Sequence, residues 1–332
     1  MKYIIDGHYD ILMDVAARRK KGERQVIRRR YYPAFQKGGV TGIVASIFVD
    51  SQYLPYGALS VAMEQISALH CEIEETPDLL MLCTSADDFL RAAETGRIGF
   101  LLSFEGAEPV SSCLLLHGFY AAGVRGLGLA WSRRNAAADG CDFSGSLKKG
   151  GLTEFGRELV KEAEDLHMIL DLSHLSDEGV EDVLSITSCP VIASHSNSRA
   201  VAGSNRTLTD CQMREIASRG GTVGLNGCSL LTAGPGVSPD QNGLTAHLDH
   251  MTEIMGEDHV ALGFDFCDSF FADDLSSSTD QMPERPFDIL SGAHEDLPAF
   301  LDHLRQHGYT ESHLTKLAGE NWLHTFRHIL KH

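Results

Sequence analysis

Residues 168–195 read MILDLSHLSDEGVEDVLSITSCPVIASH. The apolar runs Met168–Leu172 and Pro190–Ala193 predict two short buried strands, and Asp177–Ile186, which follows a capping serine, predicts a helix between them. A strand, a helix and a second strand in this order are typical of a parallel sheet. The strands lead into His174 and His195, so the unit also carries two candidate metal ligands.

The same alternation runs along the whole chain. Strands are predicted at Tyr3–Ile5, Gly42–Val49, Gly99–Phe104, Arg125–Leu129, Met168–Leu172, Pro190–Ala193, Thr222–Leu225 and Val260–Gly263. Helices are predicted at Leu59–Glu74, Ala86–Thr95, Leu114–Ala122, Thr153–His167, Asp177–Ile186, Thr209–Ser218 and Leu244–Met255. The loops at 50–58, 131–151 and 264–293 are long, and no Ser/Pro-rich linker divides the sequence. We therefore predict an α/β fold with one domain over residues 1–332, a single (β/α)8 TIM barrel with long βα loops.

The composition argues against several classes of partner. The chain has 332 residues and a formal net charge of −18, whereas nucleic acids and anionic membranes require a basic surface. Its basic cluster, Arg18–Lys21 with Arg28–Arg30, is predicted to lie on a solvated loop after the first strand. No apolar run approaches the roughly 18 residues of a membrane span. We expect no nucleic-acid partner and no membrane partner.

The cysteines indicate the compartment. The eight of them form no CxxC pair and have no regular spacing. No signal peptide is seen before the first strand, so they predict free thiols in a reducing environment and not a disulfide framework or a zinc knuckle. We therefore expect a cytoplasmic protein.

Residues with metal-binding groups stand at the ends of five predicted strands. The first two form an HxD motif: His8 and Asp10 are two apart, so an extended backbone would point both to the same face. The complete set is His8, Asp10, Glu105, His174, His195 and Asp265. Because the C-terminal strand ends of a TIM barrel converge on one mouth, we expect the six side chains to share one pocket.

Other histidines are interpreted differently. His303 and His307 are four residues apart on a polar helix pattern, as are His324 and His328. This spacing can bind a metal, but neither pair is accompanied by an HExxH motif. We interpret both pairs as solvated helix faces.

Eight segments, spread over nearly the whole chain, resemble one known family. They are DGHYD at 6–10, SFEG at 103–106, GLTEFGRELVKE at 151–162, ILDLSHLS at 169–176, PVIASHSNSRA at 190–200, SNRTLTD at 204–210, GFDF at 263–266 and GENWL at 319–323. In these segments the chain resembles the membrane dipeptidase (renal dipeptidase) family of binuclear zinc peptidases, within the amidohydrolase superfamily. It looks like a microbial member of the cytoplasmic type.

The resemblance implies a cofactor of two Zn²⁺ per chain. His8 and Asp10 would bind one ion, His174 and His195 would bind the second, and Glu105 would bridge both. Imidazole nitrogen and carboxylate oxygen are ligands that zinc accepts, and a catalytic site leaves a position for water. Two zinc ions can share a hydroxide, since the pKa of bound water falls to about 7, and one ion can polarise the scissile carbonyl.

The resemblance also implies that Asp265 is the catalytic carboxylate and that Arg206 anchors the C-terminal carboxylate of the substrate. An unligated aspartate beside the hydroxide can take its proton and return it to the leaving amine. A guanidinium can hold a free carboxylate with two hydrogen bonds, which favours dipeptides over long chains. The alternatives are that Asp265 caps its loop and that Arg206 pairs with Asp210 on the surface.

One position departs from the family pattern. Many members carry a histidine after the fourth strand that contacts the oxyanion of the tetrahedral intermediate, and here Trp131 stands there. Microbial members often show a tryptophan at this position. Trp131 either donates a hydrogen bond from its indole N–H or forms a wall of the pocket, and the second is favoured. Asn135 either contacts the substrate or caps its loop, so both residues are candidates for substrate binding.

We expect a zinc-dependent metallo-dipeptidase that hydrolyses small dipeptides with a metal-bridged hydroxide. The family tolerates a D-residue at the C-terminal side, which keeps L-Xaa-D-Xaa substrates open. A different metal-dependent amidohydrolase, acting on a lactam or an N-acyl amino acid, is disfavoured by the carboxylate clamp Arg206. A catalytically silent metal-binding barrel is disfavoured by Asp265, because a metal store has no use for a proton carrier. A homodimer is left open.

Overall fold

The computed structural model describes residues 1–141, 150–271 and 287–331. Within them, one sheet contains the strands β1 (Ile5–Tyr9), β2 (Gly42–Phe48), β3 (Leu80–Leu82), β4 (Ile98–Glu105), β5 (Val124–Gly128), β6 (Ile169–Asp171), β7 (Ile192–Ala193), β8 (Thr222–Leu225) and β9 (Val260–Leu262). Eight strands follow one another in the parallel order β1-β2-β4-β5-β6-β7-β8-β9, and β3 pairs with β4 outside this order. They form a nearly closed barrel, which confirms the predicted (β/α)8 fold. The extent of the domain over 1–332 stays a prediction.

Helices connect the strands. Those described are α1 (Ile11–Lys20), α2 (Tyr32–Gly38), α3 (Ala58–Glu75), α4 (Ala86–Glu94), α5 (Cys113–Ala121), α6 (Glu154–Asp165), α7 (Asp177–Ile186), α8 (Arg199–Ala202), α9 (Asp210–Ser218), α10 (Ser229–Thr232), α11 (Gln241–Met255), α12 (Asp268–Phe271), α13 (Leu297–Gln306), α14 (Glu311–Thr315) and α15 (Asn321–Ile329). Side-chain oxygens of Thr153 and Ser176 accept backbone N–H groups at the starts of α6 and α7, as the capping pattern predicts. In the part of the chain described, no helix is both long enough and apolar enough to cross a membrane.

The first strand differs from its prediction. β1 begins at Ile5 and continues to Tyr9, so His8 lies within the strand instead of beyond its end. Asp10 follows with a backbone that is not extended (φ −77°, ψ 24°) and directly precedes α1. The two side chains therefore do not share a face of one extended strand. The strand was predicted too short because Asp6 and His8 are polar, yet both are buried here.

The basic cluster lies in helical structure and not on the predicted loop, although residues 28–30 are exposed as predicted. Arg18 lies in the last turn of α1, and residues 28–30 lie in the π-helical turn Ile27–Tyr31. Arg18 is buried, and its Nε donates to Oδ2 of Asp14 at 2.7 Å. The dense positive charge favoured the prediction of a loop, but an arginine in a helix can bury its apolar stem when its charged head is paired.

Other elements were not predicted from the sequence. Helices α13 and α15 and the three-residue strand β3 fall outside the eight predicted strand-helix units. The predicted loops at 131–151 and 264–293 include residues 142–149 and 272–286, which lie outside the described residues.

The N-terminal end of the barrel is closed by α15. Its Trp322 is fully buried, donates from Nε1 to the carbonyl of Leu262 at 2.8 Å, and packs in one cluster with inward residues of the strands. Those residues are Ile5, Val44, Leu101, Ile169, Ile192 and Ala261. A Cβ at Gly7 would clash with the Trp322 ring, so this strand position requires glycine. Closure at this end leaves the opposite, C-terminal end for the site.

Asp6 joins the first and last strands. Its Oδ1 accepts the backbone N–H of Phe264 at 2.9 Å, and its Oδ2 lies 2.8 Å from Nε2 of His294. The backbone N–H of Asp265 also donates to the carbonyl of His8 at 3.3 Å. These bonds place the segment after β9 beside the C-terminal half of β1.

Candidate metal centre

The six side chains expected in one pocket do converge at the C-terminal end of the barrel. Ligand atoms lie within 4.8 Å of one another in each of three groups: His8, Asp10 and Glu105; Glu105, His174 and His195; and His8, His195 and Asp265. Glu105, the last residue of β4, directs Oε2 to Nε2 of His8 at 3.5 Å and Oε1 to Nε2 of His174 at 2.9 Å, so its two oxygens face different histidines. It therefore stands where a ligand shared by two ions would stand.

The first half of the site is built around His8. Its Nε2 lies 3.5 Å from Oδ1 of Asp10 and 3.5 Å from Oε2 of Glu105, and the Asp10 oxygen accepts a hydrogen bond from Ser46. Nε2 of His8 and Oε2 of Glu105 are buried and have no hydrogen-bond partner among the described residues. Because an unpartnered buried polar atom is costly, both atoms fit a role as ligands of a metal ion.

The second half contains two histidines that face each other. Nε2 of His174 lies 2.9 Å from Nε2 of His195 and 2.9 Å from Oε1 of Glu105. Their Nδ1 atoms contact serine hydroxyls, at 2.7 Å from Ser132 Oγ and 2.6 Å from Ser194 Oγ. When these hydroxyls accept from the rings, both Nε2 atoms carry lone pairs, which is the form that binds a metal.

The electrostatics of these side chains also fit a cation. Burial, and next the charge of Asp10, raise the pKa of Glu105 well above its usual range. Burial and the positive charges around them, including that of Arg206, hold the pKa of His174 and of His195 well below the usual range. Neutral imidazoles beside crowded carboxylates are a donor set for a divalent transition metal.

Asp265 lies beside the candidate metal ligands in a constrained conformation. Its backbone is left-handed (φ 59°), as is that of His174 (φ 69°), and such conformations are uncommon for residues other than glycine. Oδ1 lies 3.9 Å from Nε2 of His8, and Oδ2 accepts a hydrogen bond from Nδ2 of Asn226 at 3.1 Å. Burial raises the pKa of Asp265 to about 6. A carboxyl with this pKa can exchange a proton near neutral pH.

Arg206 is directed into the site. It is 8% exposed, and its guanidinium donates to Oγ of Ser196 at 3.0 Å and to the carbonyl of His195 at 2.9 Å. Asp210, its alternative partner, instead lies 2.8 Å from Nε2 of His250 and 3.8 Å from Arg214. The structure therefore does not bring Arg206 to Asp210.

Trp131 and Asn135 lie on the loop after β5. The Trp131 ring packs 5.7 Å from the ring of His174 and 5.1 Å from that of Phe48, so it forms a wall beside the second half of the site. Nδ2 of Asn135 donates to the carbonyl of Leu129 at 2.8 Å, and its Oδ1 accepts two backbone N–H groups of the same loop. The Asn135 amide thus caps its loop, and any contact with a substrate would compete with these bonds.

Several residues of the site were missed from the sequence. Asn226 directly follows β8, and Ser132, Asp171 and Ser194 lie at or near the ends of β5, β6 and β7. Their position at strand ends is the signal that could have identified them, but serine and asparagine there are also common loop caps. The histidine pairs interpreted as helix faces stay outside the site: Nδ1 of His307 and of His328 donates to the backbone carbonyl four residues earlier in the same helix region.

Comparisons with known proteins identify relatives along the entire chain. A family model described as membrane dipeptidase (peptidase family M19) matches residues 2–331. A metallopeptidase from Rhodobacter sphaeroides, liganded with a phosphinate mimic of the dipeptide L-Ala-D-Ala, is 30% identical, with a TM-score of 0.83 over 98% of this chain and 99% of that chain. Dipeptidase AC, a metallopeptidase of family M19, is 30% identical, with a TM-score of 0.85 over 99% and 98% of the two chains.

The chain is also similar in sequence to two further proteins. Dipeptidase verJ of Clonostachys rogersoniana is 31% identical over 219 residues, which cover 66% of this chain and 55% of that protein. The uncharacterized protein in the pqqA 5' region of Klebsiella pneumoniae is 33% identical over 283 residues, which cover 83% of this chain and 98% of that protein.

Proposed function

Since the chain belongs to the membrane dipeptidase family (peptidase family M19), we propose that it is a two-zinc enzyme that cleaves small dipeptides, including L-Xaa-D-Xaa compounds. The family consists of metallo-dipeptidases, so the protein is a hydrolase that acts on peptide bonds. The observation that carries the proposal is the position of Glu105 between two groups of ligand atoms. His8 and Asp10 complete one group, and His174 and His195 complete the other.

The donors fit zinc. Three imidazoles and two carboxylates are available, and the buried, unpartnered Nε2 of His8 and Oε2 of Glu105 would gain a partner from an ion. When bound, the two ions supply Lewis-acid activation of the scissile carbonyl and of the attacking water.

Asp265 carries the proton in this proposal. Its carboxylate lies 3.9 Å from Nε2 of His8, a proposed ligand, where it can accept a proton from the attacking water. Asn226 bonds Oδ2, which leaves Oδ1, on the side of His8, for this transfer. The same carboxyl group then returns the proton to the leaving amine.

Arg206 orients the substrate. Its guanidinium lies beside His195, where it can bind the free C-terminal carboxylate of a dipeptide, and Trp131 borders the pocket next to His174. The Rhodobacter sphaeroides relative binds a mimic of L-Ala-D-Ala, which supports substrates with a D-residue at the C-terminal side.

Metal analysis and a substrate panel test the proposal together. Purified protein should contain close to two zinc ions per chain and should hydrolyse L,L- and L,D-dipeptides, while the C-terminal amides of the same dipeptides should be poor substrates. Protein that holds no transition metal and stays fully active in a chelator would contradict the metal assignment. Metal-loaded protein that cleaves no dipeptide but cleaves a lactam or an N-acyl amino acid would contradict the substrate class.

The compartment and the assembly are also proposals. The cytoplasmic location rests on the cysteine pattern of the sequence, which has no CxxC pair and no regular spacing. A homodimer stays a prediction, which light scattering on the purified protein checks directly.

A further inference from the structure

A carboxylate and a hydroxyl lie directly behind two of the proposed metal ligands. Asp171 ends β6, Ser194 follows β7, and both are buried. The Ser194 hydroxyl donates to Oδ2 of Asp171. Oγ of Ser194 also lies 2.6 Å from Nδ1 of His195 and 3.4 Å from Nδ1 of His8. One serine oxygen thus contacts imidazoles that belong to different halves of the site.

The direction of these hydrogen bonds follows from Asp171. Its Oδ1 accepts the backbone N–H groups of Ser173 at 3.0 Å and of Ser194 at 2.9 Å, so the carboxylate is held in place as an acceptor. Oδ2 accepts the single proton of the Ser194 hydroxyl, which leaves only two lone pairs on that oxygen. Both facing Nδ1 atoms must then carry a proton and donate it to Ser194. In a neutral imidazole a proton on Nδ1 leaves the lone pair on Nε2, so this arrangement directs the Nε2 atoms of His8 and His195 to act as metal ligands.

The two rings are oriented together. Their centroids are 3.6 Å apart and their planes are inclined by 25°, so His8 and His195 stack with both Nδ1 atoms directed to the same serine. His174 has a separate arrangement, because its Nδ1 contacts Ser132 Oγ at 2.7 Å. Ser132 therefore acts on one ring, whereas Ser194 acts on two.

We propose that Asp171 and Ser194 form a shared positioning pair that fixes the Nδ1–H tautomer of both His8 and His195 and thereby prepares both metal sites at once. This inference rests on the proposed two-zinc site. Asp171 and Ser194 act only through the two imidazoles, so they are positioning residues. Partners of this kind typically change metal affinity by about 10–100-fold.

The variant Asp171→Asn reverses the hydrogen bonds without removing the backbone contacts. Its Oδ1 can still accept the two N–H groups, which directs its NH₂ towards Ser194. The Ser194 oxygen then accepts from the amide and must turn its own proton towards the nearer ring, that of His195. This forces a proton onto Nε2 of His195, the atom that should bind the metal. We expect zinc affinity to fall by about 10–100-fold.

A second variant distinguishes this effect from general damage. Ser194→Ala removes the hydroxyl and enforces neither tautomer, so its loss of zinc affinity should be smaller than that of Asp171→Asn but should affect both ions. In the double variant Asp171→Asn/Ser194→Ala no hydroxyl is left to donate the wrong proton. The double variant should therefore bind zinc more tightly than Asp171→Asn alone, which additive structural damage cannot produce.

The measurement is a competition titration of metal-free protein with Zn²⁺ and a chromophoric chelator, with the visible spectrum of the Co²⁺-loaded protein as a second readout. Ser132→Ala is the matched control and should weaken only the ion bound by His174. The inference is overturned if Asp171→Asn binds two ions as tightly as the unmodified protein, or if the double variant binds no better than Asp171→Asn. Failure of the unmodified protein to bind zinc would instead overturn the proposed function.

Discussion

Three carboxylates, those of Asp10, Glu105 and Asp265, lie within one small buried region. Burial raises the pKa of Glu105 and of Asp265, and the charge of Asp10 raises both further. Such crowding of acids is unfavourable unless cations balance it. These crowded carboxylates are therefore suited to the two divalent ions that we propose, with Glu105 as the proposed shared ligand.

Glu105→Gln should be the most damaging change of a single ligand. The substitution removes one negative charge and one strong donor from a position shared by two ions, whereas Asp10→Asn affects one ion only. We expect fewer than one zinc ion per chain in Glu105→Gln, with a larger loss of kcat than in Asp10→Asn. Metal analysis and steady-state kinetics of both variants check this. Two tightly bound ions and near-normal kcat in Glu105→Gln would contradict the bridging role.

Asp265→Asn should lower kcat by about 10²–10⁴-fold, which is the usual contribution of a positioned acid or base. Zinc content and thermal stability should stay close to those of the unmodified protein, because the amide can keep the bond to Asn226. Asn226→Ala is the matched control, since it releases the carboxylate but leaves it able to transfer a proton. If Asp265→Asn loses stability but keeps its turnover, Asp265 is a loop cap and not the proton carrier.

Arg206→Ala should lower kcat/KM for substrates with a free C-terminus. The lost charge-assisted hydrogen bond is worth about 1.5–3 kcal/mol, or roughly 10–150-fold in kcat/KM. A dipeptide and its C-terminal amide, assayed with both proteins, separate the two roles of Arg206. A loss confined to the free dipeptide supports the carboxylate anchor, whereas equal losses on both substrates would assign Arg206 a structural role.

Reciprocal hydrogen bonds join residues 267–268 to residues 287–288 in the segment after β9. The Asp288 carboxylate accepts the N–H groups of Cys267 at 2.9 Å and Asp268 at 3.0 Å. In return, the Asp268 carboxylate accepts the N–H groups of Phe287 at 3.1 Å and Asp288 at 3.0 Å. This clamp begins two residues after Asp265, so it also restrains the backbone that presents the proposed proton carrier.

The clamp should give the stability of the protein a distinctive pH dependence. Burial raises the pKa of Asp288 from 3.8 to about 7. Below about pH 4 the carboxyl is protonated in both the folded and the unfolded state; between about pH 4 and 7 only the folded state retains the proton. Stability should therefore fall as the pH rises through this range, and the contribution should level off above it.

Thermal unfolding of the unmodified protein and of Asp288→Asn at pH values from 4 to 8 checks this expectation. The amide cannot titrate, so the variant should lack this part of the decrease in Tm even if its Tm is lower at every pH. Parallel curves for the two proteins would show that Asp288 does not titrate in this range.

The aromatic packing that closes the barrel and the candidate metal centre lie at opposite ends of the barrel. The N-terminal end of the barrel is filled by Trp322 and Phe326 of α15 against the inward residues of the strands. The candidate metal ligands occupy the C-terminal end. Because the two regions share strands but not side chains, changes at the closed end should alter unfolding more than catalysis.

Trp322→Ala should destabilise the protein by about 3–5 kcal/mol, the usual cost of removing a large aromatic side chain from a core. It also removes the hydrogen bond to the carbonyl of Leu262. Leu114→Ala is the control, since Leu114 is 80% exposed and should change stability by less than about 0.5 kcal/mol. Urea unfolding measures both effects. Similar midpoints for the two variants would contradict the role of Trp322 in closing the N-terminal end of the barrel.

The sequence by itself determined the barrel and the set of side chains that meet at its mouth. Apolar runs such as Met168–Leu172 alternate with helix patterns, and this periodicity is a local property that sets the parallel sheet. Once the strands are parallel, their C-terminal ends must face one side, so the residues after them, such as His174 and His195, are brought together by topology alone. Resemblance to a family assigned their roles.

Tertiary structure alone decided the partners of individual side chains. It directed Arg206 to His195 and not to Asp210, used the Asn135 amide to cap its loop, and buried Arg18 in a helix. It also placed Ser194 between two imidazoles, one of which is 186 residues away in the sequence. Such contacts depend on how loops turn and on which side chains meet across the barrel, and no local pattern encodes them because their free energy arises only when distant segments pack together.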